Sequence, residues 1–333
     1  MKTINVSTIA SFLDGVRSIA IAGHVNPDGD CVGSCMAMYL YLTENYPQIH
    51  TDVYMQKPKD SLCCQKGMDQ IRTECGADAS YDLLILLDIS STDRIGVAGS
   101  LLEKTECVLC LDHHKTNEGS YTWFYNDPDA SSACEVIWRF LEEDRVSLAC
   151  AEALYLGIAH DTGVFQYQST SPETMRIAAK LMEKGVRFTE ILDKTYYQKT
   201  YAENQILARA LMESFTLYNG QVIVTAIKSK TMKFYGLHPK DMDGIVNQLR
   251  NTEGVEVAIF MYETAWLTYK VSLRSRTWLD VSKVAAAFGG GGHKHAAGCT
   301  MEGMHRDVIN NLSDELFKQF EAHSAAAAEA AAE

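Results

Sequence analysis

No apolar stretch of this 333-residue chain approaches the ~20 residues that cross a bilayer as a helix. The opening residues, Met1-Lys2-Thr3-Ile4-Asn5, lack a basic segment followed by a long apolar one. No secretory signal is therefore expected, and a cytoplasmic protein without membrane contact is expected. Positive charge is scarce as well: 30 Lys and Arg against 43 Asp and Glu leave a net charge of −13. Such a chain does not track long nucleic acid through counterion release. Ten cysteines are present, but no second pair matches the C-x-x-C of Cys107 and Cys110, and Cys63 and Cys64 are merely adjacent. A structural zinc site needs about four ligands, so buried free thiols such as Cys31, Cys35, Cys134 and Cys150 are expected instead of zinc, redox chemistry or disulfides.

The length suits two domains, each with its own core. Hydrophobic content of 47% and charged content of 22% are ordinary for a globular protein. Nearly all of the acidic excess falls before residue 211. Two divalent cations there would offset about four charges, which keeps a phosphate substrate compatible with an acidic chain.

Residues 1–190 alternate strand-like and helix-like segments. Ser18–Ala22, Leu83–Leu87 and Cys107–Leu111 are short continuous apolar runs, as in strands buried on both faces of a parallel sheet, and residues 53–55 form a further short strand. Helices are predicted over 30–46, 132–143 and 147–160. The alternation argues for an α/β class with a mostly parallel sheet and flanking helices. Ser171-Pro172 opens another helical stretch, predicted to run through Leu192 and again from Tyr201 to Phe215. Residues 191–219 read as a connector. A smaller α/β unit occupies 220–323, with strands over 221–227, 255–262 and 267–273 and helices over 241–250, 281–288 and 306–320. An Ala-rich tail fills 324–333; its helix propensity is high, but it offers no chemistry.

Ligands bind at the carboxyl ends of parallel strands. Three clusters of metal-ligand side chains stand at such ends: His24-Val25-Asn26-Pro27-Asp28-Gly29-Asp30, Asp88, and Asp112-His113-His114. In the first, Pro27 favours an extended Asn26, and Gly29 and Gly33 permit close backbone approach. An Asx turn capping a helix would use the same residues. Asp88 alone resembles a cap; its position beside the other clusters gives it weight. Two imidazoles and a carboxylate are costly as core filler, and Asp112 would orient one of the imidazoles. Asp161, before Thr162-Gly163, is by itself a turn residue, and His160 reads as structural. Carboxylate and imidazole donors without thiolates suit Mn²⁺, with Mg²⁺, Fe²⁺ or Co²⁺ as substitutes. There are donors enough for two ions, and a shared carboxylate would hold them about 3.5–4 Å apart.

The second feature is Phe288-Gly289-Gly290-Gly291-Gly292-His293, followed by Ala296-Ala297-Gly298. A flexible linker would mix in serine and join two domains; this run follows a helix and precedes only one small unit. Its amides are expected to form an anion nest, with Arg274 as a bidentate phosphate clamp.

Taken in order, these motifs resemble the DHH/DHHA1 phosphoesterase family over nearly the whole chain. His24-x-Asn26-Pro27-Asp28-x-Asp30, Asp88, Asp112-His113-His114, Asp161-Thr162-Gly163 and the Gly289–His293 run match its five motifs without departure at a ligand position. The resemblance implies a DHH domain, then a DHHA1 domain, with a cleft between them. It implies one Mn²⁺ on His24, Asp28 and Asp88, and a second on Asp30, Asp88, His113 and Asp161. By the same resemblance His114 contacts the scissile phosphate, and Arg274, His293 and Gly290, Gly291 and Gly292 bind the substrate. The compact size is similar to the oligoribonuclease (nano-RNase)/pAp-phosphatase group, which degrades RNAs of a few nucleotides and dephosphorylates 3′-phosphoadenosine 5′-phosphate. Homodimers occur in that group. Within the enzyme class the rival is a soluble phosphodiesterase for cyclic dinucleotides or linear pApA; outside it, a nucleotide-binding regulator without catalysis. Polyphosphate or pyrophosphate hydrolases of related type carry a different second domain.

Overall fold

Side chains of the apolar runs alternate between two cores, because successive residues of a strand face opposite sides. Ile19, Ile21, Leu83, Ile85, Leu87, Leu109 and Leu111 join one core; Ala20, Ala22, Leu84, Leu86, Val108 and Cys110 join the other. The computed structural model describes residues 2–63, 65–117, 119 and 121–330 and divides into two units, Met1–Gln198 and Lys199–Glu333.

Among its described residues the first unit holds seven strands: β1 (Lys2–Thr3), β2 (Ser18–Ala22), β3 (His50–Tyr54), β4 (Ile71–Arg72), β5 (Leu83–Leu87), β6 (Cys107–Asp112) and β7 (Trp123–Asn126). All neighbours pair in parallel, in the order β1-β7-β6-β5-β2-β3-β4. The chain leaves β2 toward β3 and β4, then returns to the other side of β2 with β5. Strand order therefore reverses between β2 and β5, and a crevice opens beyond their carboxyl ends at such a point.

Helices α1 (Gly29–Asn45), α2 (Ala133–Trp138) and α3 (Leu148–Asp161) cover one face, and α4 (Pro172–Glu183) and α5 (Phe188–Leu192) follow. Helices α1 and α3 touch backbone to backbone: a Cβ on Gly33 would stand 2.5 Å from the Ala153 carbonyl oxygen. Helix α2 is shorter than expected, because i→i+3 bonds from Arg139, Phe140 and Leu141 tighten its end and bury Phe140 against Tyr125. The helical stretch expected through Leu192 breaks at Gly185, whose φ of +91° ends α4.

The second unit begins with α6 (Tyr201–Met212). Where that helix was expected to reach Phe215, β8 (Phe215–Leu217) starts instead. Then come β9 (Val222–Ile227), α7 (Ser229–Phe234), α8 (Ile245–Arg250), β10 (Val257–Ala265), β11 (Thr268–Ser275), α9 (Val281–Ala286), β12 (Gly291–His293), β13 (Ala296–Glu302) and α10 (His305–Ala330). The six strands run β12-β13-β11-β10-β9-β8; β9 and β10 pair in parallel and the rest antiparallel. Residues of α9 and α10 pack on one face, and residues of α6, α7 and α8 on the other. Helix α10 runs on into the Ala-rich segment as far as Ala330; tail residues 331–333 lie outside the described residues, as does Cys64. Cys107 and Cys110 lie three apart on β6, so they point to opposite faces, and no disulfide occurs among the described residues. No described helix is long and apolar enough to cross a membrane.

Candidate functional site

His24 and Asp88 follow the carboxyl ends of β2 and β5, and Asp112 ends β6, and all three ends open on the crevice where strand order reverses. Asp88 leaves its strand with φ +57°, a left-handed backbone that non-glycine residues seldom adopt. Its carboxylate is 2% exposed and faces two imidazoles at once: Oδ2 lies 3.4 Å from His24 Nε2 and Oδ1 lies 3.5 Å from His113 Nε2. His24 Nε2 also lies 3.7 Å from Asp28 Oδ2. His113 Nε2 lies 3.8 Å from Asp30 Oδ2 and 3.6 Å from Asp161 Oδ2. With His114 Nδ1 3.5 Å from Asp88 Oδ1, all seven residues that the sequence assigned to metal or catalysis in this unit meet in one place.

The chain holds each in position by ordinary bonds. Asp28 caps α1, its Oδ1 accepting the amides of Asp30 and Cys31 at 3.1 Å, so the residue is a helix cap that also stands at the cluster. Asn26 departs from expectation: Pro27 does not hold it extended. Its φ is +55°, a conformation asparagine tolerates, and Gln56 Oε1 accepts its amide. Asp30 is gripped by the amino end of α2, where Oδ2 accepts from the Ala133 amide at 2.6 Å and Oδ1 from Cys134 at 3.1 Å. Nothing local in the sequence announces that anchor. Glu135 braces the same helix end by accepting from Ser131, Thr174 and Arg139.

The imidazoles are oriented as ligands require. His24 Nδ1 lies 2.8 Å from the Val25 carbonyl, and His113 Nδ1 3.4 Å from that of Ala130, which in each case turns Nε2 toward the carboxylates. His114 pairs through Nδ1 with Asp112 Oδ1 at 2.9 Å. Asp112 is fully buried, and its Oδ2 accepts from Asn117, which also donates to the Ile89 carbonyl. Arg94 approaches the other side of His24, its Nη2 3.4 Å from Nδ1. Asn117 and Arg94 escaped the sequence reading; Arg94 stands in the stretch after Asp88. His160, read as structural, lies against Gly29, where a Cβ would come within 2.2 Å of its ring, and bonds Thr195.

Charge pairing dominates the electrostatics. Burial alone pulls the pKa of His24 and His113 down and that of Asp88 up. Contact reverses all three: the carboxylates raise both histidines, and the histidines hold Asp88 well below the usual carboxylate range. Asp30 is pushed up by burial, then by Asp88 and Asp161. Asp161 is raised to about 7 by burial, with Asp88 and Asp28 adding to it against the opposing pull of His113. Four carboxylates converge on two imidazoles, and a cation would relieve their mutual repulsion.

The donor set fits divalent metal. Ligand atoms of His24, Cys31 and Asp88, of Asp88, His113 and His114, and of Asp30, His113 and Asp161 each lie within 4.8 Å of one another. Asp88 joins the first triplet to the second, and His113 joins the second to the third. Burial raises the pKa of Cys31, which disfavours the thiolate form in which sulfur binds metal and leaves oxygen and nitrogen as the better donors.

In the second unit, Arg274 on β11 and His293 on β12 both pair with Ala296 on β13, so they share one cross-strand row and one face. Ser275 and His295 bond beside them at 2.9 Å. The glycine run does not form a nest of successive free amides. Gly289 and Gly290 donate to Ala286 and Ala285 at the end of α9, while Gly291 and Gly292 enter β12. A Cβ on Gly290 would stand 2.3 Å from the Gly298 carbonyl oxygen, and Gly292 has φ +145°, so the hairpin needs both glycines.

Two family models match the chain: "DHH family, N-terminal domain" over residues 18–158 and "DHHA1 domain" over residues 219–322. The chain is 28% identical over 317 residues to the bifunctional oligoribonuclease and PAP phosphatase NrnA of Thermus thermophilus, covering 92% of this chain and 93% of that protein. It is 26% identical over 310 residues to the protein of the same name from Bacillus subtilis, covering 90% and 93%. Among solved structures, an exopolyphosphatase-related protein from Bacteroides fragilis shares the fold with a TM-score of 0.84 at 23% identity, covering 93% of this chain and 94% of that one.

Proposed function

The chain belongs to the DHH/DHHA1 family, and on that premise we propose that it is a Mn²⁺-dependent phosphoesterase acting on RNAs a few nucleotides long and on the 3′-phosphate of pAp. The observation that carries this reading is the placement of Asp88, one carboxylate facing His24 through one oxygen and His113 through the other. Such a bridge suits two cations side by side. His24, Asp28 and Asp88 would hold one; Asp30, Asp88, His113 and Asp161 would hold the other. Metal bound there supplies charge neutralisation at a phosphoryl group and an acidified water.

The chain's own residues do the rest. Asp112 fixes the His114 ring through Nδ1 and so directs its other edge at the scissile phosphate. The row of Arg274 and His293 binds the substrate's remote phosphate or nucleotide, which positions short substrates and raises kcat/KM without touching the reacting bond. The substrate assignment is supported by relatives of nearly equal length whose names state oligoribonuclease and PAP phosphatase activity. A cytoplasmic location belongs to the same proposal. A homodimer is proposed from the family alone, and sedimentation velocity tests it.

The deciding experiment assays pAp, pApA, short RNA and cyclic di-AMP side by side, with Mn²⁺ and with chelator. Metal-dependent turnover of short RNA and pAp is expected. Turnover of the cyclic dinucleotide or pApA alone would replace the substrate assignment. Stoichiometric nucleotide binding without turnover would replace the enzyme reading by a regulator.

A further inference from the structure

Directly after α5 the chain makes a wide π-helical turn, Asp193–Tyr197, closed by the Gln198 amide donating to the Asp193 carbonyl at 2.7 Å. Such turns are rare and cluster at functional sites. This one presents two consecutive tyrosines beside the metal-ligand cluster. Tyr196 stands edge-on to His160, with ring centroids 5.5 Å apart and planes at 82°. His160 precedes Asp161 and lies against Gly29, between Asp28 and Asp30. Tyr197 stands edge-on to Tyr196 at 5.3 Å and 78°. Thr195 pins the turn from both sides, bonding His160 Nε2 at 2.9 Å and the Ile191 carbonyl at 2.7 Å.

Tyr197 is nevertheless 54% exposed. A large ring fixed by a neighbouring ring, itself fixed by a histidine at the site, is a prepared stacking face. Two rings, His160 and Tyr196, link it to the backbone of Gly29 between Asp28 and Asp30, and a nucleobase is likewise set outward from the phosphate it carries. We propose that Tyr197, supported by Tyr196 on the π turn, stacks on a nucleobase of the substrate whose phosphate lies at the Asp88 cluster. This rests on the phosphoesterase reading for the identity of the ligand, and it adds a base-binding residue in the first unit that the sequence motifs do not contain. Stacking tolerates any base, because every base has a π face. The turn would therefore contribute affinity without sequence preference.

The test compares binding of 5′-AMP and of ribose 5-phosphate to the intact chain with Mn²⁺, by calorimetry, in the wild type and in Tyr197→Ala and Tyr197→Phe. Tyr197→Ala should weaken 5′-AMP roughly five- to hundred-fold, the range measured for loss of one aromatic stacking partner. It should leave ribose 5-phosphate within twofold (about the scatter of such measurements), and Tyr197→Phe should restore 5′-AMP. In turnover of pApA the loss should fall on KM and spare kcat. Unchanged 5′-AMP affinity in Tyr197→Ala, or an equal loss for both ligands, overturns the assignment. A chain that binds 5′-AMP through Tyr197 yet hydrolyses no nucleotide fails the phosphoesterase reading and keeps this one.

Discussion

His24 Nε2 and Asp88 Oδ2 meet 3.4 Å apart where the strand order of the parallel sheet reverses. Neighbouring strands β2 and β5 deliver the two residues, and their register fixes that separation through backbone hydrogen bonds that neither side chain makes.

Because the other oxygen of Asp88 serves His113, removing this carboxylate disturbs both halves of the cluster. Asp88→Ala should lower kcat by at least about 10²–10³-fold, the scale of losing one preorganised electrostatic group. Arg274→Ala should mainly raise KM. Steady-state kinetics with pApA and Mn²⁺ separate the two, and near-normal turnover of Asp88→Ala would remove the bridging role.

Among the imidazoles of the cluster Asp112 bonds His114, from a fully buried position in which Asn117 holds its other oxygen. Asp112→Asn should cut kcat by roughly 10–100-fold, the usual effect of losing a ligand's orienting partner, while Mn²⁺ binding by calorimetry stays close to wild type. A tenfold or greater loss of metal affinity would show that Asp112 supports the metal ligands themselves.

Gly157 of α3 leaves room for the Asp30 carboxylate, since a Cβ there would stand 2.2 Å from Cys134 Sγ and 2.6 Å from Asp30 Oδ1. Gly157→Ala should destabilise the first unit by about 1–3 kcal/mol through overpacking. It should also lower activity at temperatures where the variant is still folded. Urea unfolding and a parallel assay check both, and an unchanged midpoint would mean that the helices part freely.

Glu256 gives a pH-dependent contribution far from metal. Its carboxylate accepts the amides of Thr277, Trp278 and Leu279 and the Thr277 hydroxyl. Burial alone would raise its pKa, but these bonds lower it below the ordinary glutamate value. A lowered folded-state pKa means that the stabilisation is present above the unfolded value and is lost as pH falls through the folded one. Glu256→Gln should cost about 1.5–3 kcal/mol at neutral pH, with the gap from wild type shrinking as acidification carries the pH below the ordinary glutamate range. Denaturant midpoints measured across that range test the sign, and a gap that widens in acid would contradict it.

The ligand loops were legible because each follows a run with no charge on either face, so strand, end and crevice could be read together. Asp28, Asp88, His113 and Asp161 were placed in this way from sequence and motif order. What holds them was not legible. The α2 amides that grip Asp30 come from a helix far along the chain, and Asn117 acts through a loop with no periodicity. The left-handed Asn26 ran against the influence of the following proline, a local preference that the Gln56 bond overrides. Strand β13 was missed because Ala296-Ala297-Gly298 has little β propensity; it forms by pairing with β11 on one side and β12 on the other.

The return of β5 to the far side of β2 also orders events during synthesis. His24, Asp28 and Asp30 leave the ribosome early, but β2 gains its second neighbour only after β5 has been made, and α2 and α3 arrive later still. Pairings between distant segments close slowly. A nascent chain therefore exposes the His24–Asp30 loop before its partners exist, and the cluster is complete only when the segment bearing Asp161 docks.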